Sequence, residues 1–165
     1  MTMADEHAEE PENLDDPPSF FPYEADELPD GAQELNRDLV EVTFEHIVVT
    51  EAGDERQHFV LLTDGRRHLM IVIGPFEAMA INYGAEGVRT SRPMTHDLIV
   101  KGITEMGGKV EKIVIDDLWS GTYFAKIHIS RNGEETIIDS RPSDAIAVAV
   151  RCDAPIYAID GIMQD

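Results

Sequence analysis

Nine side chains suited to act on a phosphate fall at three places in the sequence. Arg92, Thr95, His96 and Asp97 lie in RPMTHDLIVKG (92–102), Asp139, Arg141, Ser143 and Asp144 in DSRPSDAIAVAV (139–150), and Glu77 in GPFEAMAI (74–81). A guanidinium beside the free N–H groups of a helix start makes a phosphate site, which gives Arg92, Arg141, Thr95 and Ser143 a phosphate-binding role. His96 is of the residue type most often used for general acid or base work. With Asp97, Asp139 and Asp144 it forms the candidate catalytic group. Glu77, Asp139 and Asp144 are the candidate oxygen ligands of a divalent metal, Mg²⁺ or Mn²⁺.

Ordinary helix chemistry explains part of this pattern. An acid in a first turn complements the helix dipole, by roughly 0.3–1 kcal/mol. Thr95 and Ser143 read as caps. Arg92 and Arg141 are left over, because a cation at a helix N-terminus is unfavourable unless an anion stands between. Either they bind a substrate phosphate, or they pair internally with Asp97, Asp139 and Asp144.

The elements that must position these residues follow from periodicity and turn signals. LVEVTFEHIVVT, HFVLLT and HLMIVI read as strands, with DGR as a hairpin signal, followed by a helix from Pro75 to Gly84. THDLIVKGITEMGG reads as a helix with Leu98, Ile99, Ile103 and Met106 on one face. KVEKIVIDDL, YFAKIHIS and TIIDS read as strands, joined by WSGT and the Asn-Gly turn of RNGE. The segment from Arg141 to Cys152 alternates Ile146, Val148 and Val150 like a strand, but its alanines and Pro-Ser-Asp start favour a helix. Offset by 67 residues, GPFEAMAI aligns with RPSDAIAV: Pro75 with Pro142, Glu77 with Asp144, and Ala78 and Ala80 with Ala145 and Ala147. The expected fold is α+β: two βββα-like halves, 39–84 and 109–152, with mostly antiparallel strands, a connecting helix from near Thr95, and a disordered acidic N-terminal tail.

Charge narrows the function classes. The 165 residues carry −20, and residues 1–36 hold 12 acids with no Lys or Arg. The expected division is a tail (1–36), one domain (37–160) and a short C-terminal tail (161–165). The domain retains a moderate excess of acids, which repels nucleic-acid backbones at long range and opposes a basic-patch binder. An enzyme that gathers carboxylates is not excluded. Phe20, Phe21 and Tyr23, in segment 17–24, are unusual in a solvating tail and offer a hook for a protein partner. Cys152 is the single cysteine, so neither an internal disulfide nor a cysteine zinc site is expected. The absence of a leader pattern and of a long apolar run points to a cytoplasmic protein without membrane contact.

RPMTHDL, FAKIHI, IDSRPSDAIAVAVR followed by PIY, and the upstream IVIGPFEAMAI together resemble the bifunctional nuclease domain family, over roughly residues 37–160. Family members typically show RPLTHDL and DARPSDAIALA; Met94, Ser140 and Val148 are mild departures. The resemblance implies an α+β domain that self-associates as a homo-oligomer and has nuclease activity on DNA and RNA. It carries over the motif positions Glu77, Arg92, Thr95, His96, Asp97, Asp139, Arg141, Ser143 and Asp144 without assigning their roles. Two readings stand: a metal-assisted nuclease acting on nucleic acid, and a non-catalytic binding or regulatory module whose Arg and Asp residues are structural ion pairs.

Overall fold

Seven strands form one sheet in the computed structural model, which describes residues 35–52 and 55–165. The expected tail falls outside these residues apart from Leu35 and Asn36, as does the aromatic segment 17–24. Strands β1 (Leu39–Ala52), β2 (Glu55–Thr63) and β3 (His68–Ile73) form an antiparallel meander. Helices α1 (Pro75–Ala85) and α2 (Thr95–Glu105) follow. A second meander comprises β4 (Lys109–Trp119), β5 (Thr122–Arg131) and β6 (Glu134–Ser140), and α3 (Pro142–Cys152) follows it. The fold is a mixed α/β one with a mostly antiparallel sheet.

Turn chemistry sets the hairpins. Ser120-Gly121 and Asn132-Gly133 are two-residue turns with positive φ at both positions, 49° and 78°, then 54° and 83°. That backbone matches the twist of the strands they join. The DGR hairpin is wider: residues 64–67 connect β2 to β3. The Asp64 carboxylate there accepts the N–H groups of Arg66 and Arg67 at 2.9 and 2.7 Å. These backbone bonds lower its pKa to about 2.

The strand that sequence patterning passed over is β7 (Ile156–Ile159). It lies between the meanders, antiparallel to β1 and parallel to β4, in the order β3-β2-β1-β7-β4-β5-β6. Ile156, Ala158 and Ile159 are buried. Residues 160–164 continue inside the fold: Ile162 is buried, and Gln164 exchanges two 2.8 Å backbone hydrogen bonds with His68.

α3 packs on β4 and β5 with α1 and α2 against it. It has no solvent face through its middle, so Ala145, Ile146, Ala147, Val148 and Ala149 are all buried. This explains the strand-like alternation of its apolar residues: a helix covered all round needs no polar stripe. Its alanines let the neighbouring helices approach, and burying each Ile or Val contributes about 1.5–3 kcal/mol. α1 comes so close at Gly84 that a Cβ there would meet Arg151 Nη1 and Val150 Cγ2 at 2.6 Å.

α2 is rotated away from its expected face. Leu98 is 62% exposed, and Ile99 and Met106 are exposed too. Of that face only Ile103 packs on the core, together with Val100. His96, Val100 and Ile103 share a face by the i, i+4, i+7 rule. The polar bonds of His96 and Asp97 to α3 set this rotation against the simple apolar count.

Candidate functional site

The first turns of all three helices meet. Pro75 and Pro142 open α1 and α3, where a missing N–H costs nothing. Gly74 precedes α1, and a Cβ there would collide with the Glu77 carboxylate, which folds back over the helix start. Arg141 is the N-cap residue of α3 and Met94 that of α2, neither with a side-chain cap bond. The expected caps are therefore displaced by one or two positions. Thr95 is the first residue of α2 and exposed, and Ser143 is buried within α3 at 7% exposure.

Arg141 connects the helices. Its Nε and Nη2 donate to Asp144 Oδ2 and Oδ1 at 2.7 and 3.1 Å, and its Nη1 donates to Glu77 Oε1 at 3.1 Å. Asp144 Oδ1 also lies 3.0 Å from His96 Nε2, across 48 residues of sequence. Burial alone would raise the Asp144 carboxyl. The hydrogen bonds and charges of Arg141 and His96 outweigh it and hold Asp144 below the usual carboxylate range. The same bonds to Asp144, with Glu77 adding to them, raise Arg141 despite its partial desolvation. An ionised Asp144 only accepts, so Nε2 of the imidazole is the donor in this pair.

Asp97 turns to a second arginine, one the sequence reading passed over. Arg151 Nε donates to Asp97 Oδ1 at 2.5 Å, and Nη1 to the carbonyls of Ala80 and Ala147 at 2.9 and 2.7 Å. Asp97 Oδ2 accepts the Met94 N–H at 2.9 Å and so caps α2. Burial raises the Asp97 carboxyl, but these donors more than offset it, so its pKa is lowered. A basic residue in a last turn is ordinary dipole complementation, which is why Arg151 drew no attention.

Two expected members stand apart. Asp139 is opposite Lys126 in register, while its neighbour Ile138 is opposite the buried Ile127. Strand alternation therefore points Asp139 to the sheet face away from the helices. Lys126, His128 and Ser130 share that face, engaged by Asp116, Glu135 and Glu111 at 2.5, 2.9 and 2.5 Å. Arg92 lies exposed in the loop before α2 and makes no ion pair among the described residues. Of the nine motif residues, the structure thus joins Glu77, His96, Arg141 and Asp144 in one network.

The metal ligands expected from Glu77, Asp139 and Asp144 do not converge. Among the described residues no group of three or more His, Cys, Asp or Glu is placed to hold a metal ion. Asp139 is on the other face, and Arg141 occupies the space between Glu77 and Asp144.

A family model described as the bifunctional nuclease domain matches residues 60–165. An uncharacterized protein of Mycobacterium tuberculosis is 38% identical over 111 residues, covering 66% of this chain and 66% of its own. Bifunctional nuclease 2 of Oryza sativa subsp. japonica is 27% identical over 112 residues, 66% of this chain and 34% of its own. Bifunctional nuclease 2 of Arabidopsis thaliana is 29% identical over 91 residues, 53% of this chain and 28% of its own. The chain thus spans just under two thirds of the mycobacterial relative and about a third of the plant ones. No helix among the described residues is long and apolar enough to cross a membrane.

Proposed function

The chain belongs to the bifunctional nuclease domain family, and from that premise we propose that it hydrolyses phosphodiester bonds of DNA or RNA at the His96–Asp144–Arg141 network. The observation that carries this reading is the 3.0 Å pairing of His96 with Asp144, which joins two family motifs through an acid that also holds Arg141.

In the proposed reaction Asp144 orients the imidazole, and Nδ1 takes a proton from the attacking water. The water oxygen bonds to phosphorus, the bond to the leaving oxygen breaks, and that oxygen takes a proton from solvent. Asp144 stabilises the imidazolium until it returns its proton. Arg141, 65% exposed, turns a guanidinium edge to the phosphate, with Arg92 as a second cation from the loop. The test is hydrolysis of single-stranded DNA and RNA by the purified chain, with Mg²⁺, with Mn²⁺ and with chelator. Cleavage that His96→Ala abolishes supports the reading.

One observation favours the binding or regulatory reading. Nε, Nη1 and Nη2 of Arg141 each already bond a carboxylate. In that reading the network locks three helices together and serves no substrate. The two readings separate on one result: a lock predicts loss of stability from Arg141→Ala and no cleavage by wild type.

A further inference from the structure

A cavity of about 410 Å³ opens beside α2, and neither His96 nor Asp144 is among its lining residues. Tyr83, Gly84, Val88, Arg89, Lys101 and Arg151 are among its lining residues, with Asp97 and Glu105. Its size is that of small-ligand sites, roughly 300–1,000 Å³. None of the phosphate-binding residues expected from sequence lines it.

Its charge runs against that of the protein. Arg151 neutralises Asp97 at 2.5 Å, so Arg89 and Lys101 face Glu105. Neither Arg89 nor Lys101 makes an ion pair among the described residues. The Arg151 side chain is only 7% exposed, yet its Nη2 has no hydrogen-bond partner among the described residues. Nor does it count among their solvent-excluded orphan atoms. A largely buried guanidinium that spends Nε and Nη1 on the protein, leaves Nη2 unengaged and lines a cavity is an anchor for an anion. Tyr83, Val88 and Val100 supply an aromatic ring and an apolar wall beside it.

We propose that this cavity binds one nucleotide unit. Arg151 Nη2, Arg89 and Lys101 hold its phosphate, and Tyr83 contacts its base. The inference rests on the nuclease reading only for the source of the nucleotide. A strand that enters the cavity brings one of its nucleotides to these groups. A free mononucleotide would use the same contacts.

The experiment uses the full chain carrying His96→Ala, so that nothing is cleaved. Inorganic phosphate, thymidine 5′-monophosphate and hexathymidylate are titrated in turn, with amide chemical shifts followed. Expected are saturable shifts in residues 83–89 and 97–105. Binding should weaken at least tenfold in Arg89→Ala/Lys101→Ala, whose two exposed changes leave the fold intact, and tighten in Glu105→Gln. Tighter binding of hexathymidylate than of the monophosphate identifies a strand; equal binding identifies a free nucleotide. If inorganic phosphate binds as tightly as both, the base contact is wrong. If none of the three binds saturably, or the double variant binds as wild type does, the proposal fails. A chain that binds nucleotide here but never cleaves leaves this inference standing and overturns the nuclease.

Discussion

Two arginines of one helix, ten positions apart, serve its two ends differently. Arg151 at the end of α3 is 7% exposed and is held by Asp97 and two helix carbonyls; Arg141 at its start is 65% exposed and meets only carboxylates. The first arrangement satisfies buried backbone oxygens and fixes where α1, α2 and α3 sit. The second spends a charge where water competes for it, so its net contribution to stability is small. Structure accounts for Nε and Nη1 of Arg151 and leaves Nη2 for the proposed ligand, whereas the whole guanidinium of Arg141 stands where it can act on something outside the protein.

The sharpest way to break this contrast is to remove each arginine. Arg151→Ala removes the side-chain donor that Asp97 and the Ala80 and Ala147 carbonyls share. It should destabilise by about 3–5 kcal/mol, read from the urea unfolding midpoint. Arg141→Ala should change the same midpoint by less than about 1 kcal/mol, with the fold intact. Equal losses for the two variants would erase the distinction between lock and site.

Acid probes the contrast next. Asp97 and Asp144 both have lowered folded pKa values. Above the unfolded value of about 3.9 their stabilisation is fully present. As pH falls through the folded values it is lost, because the unfolded chain binds the protons first. Asp64, lowered to about 2, adds to the same slope. Melting temperature should therefore fall between about pH 4 and pH 2. Asp97→Asn should flatten the fall, and Asp144→Asn should do so less, since its main partner is exposed. The smallest effect is expected at Arg92. Arg92→Ala should leave melting unchanged and weaken substrate binding, with a shallower salt dependence.

The strands, turns and helices that carry the site were legible because each has a local signal: alternation, Asn-Gly, or Pro before an acid. β7 was not, since IYAI is four residues long and pairs with strands far away in sequence. Within the site, Glu77, His96, Arg141 and Asp144 could be picked out by type and position. Asp139 could not be oriented, because Ile137 and Ile138 are consecutive and hide which face of β6 is inward. α2 misled for a related reason. Leu98 and Ile99 face out while Val100 and Ile103 pack inward, and the rotation comes from two polar bonds that no periodicity records.

The central claim is that hydrolysis occurs at the His96–Asp144–Arg141 network, and cleavage of single-stranded DNA and RNA by wild type and by the His96→Ala/Asp144→Ala double variant tests it most directly. We predict cleavage by wild type and at least a hundredfold lower rate in the double variant, whose circular dichroism remains that of a folded chain. A folded double variant that cleaves at the wild-type rate would contradict it.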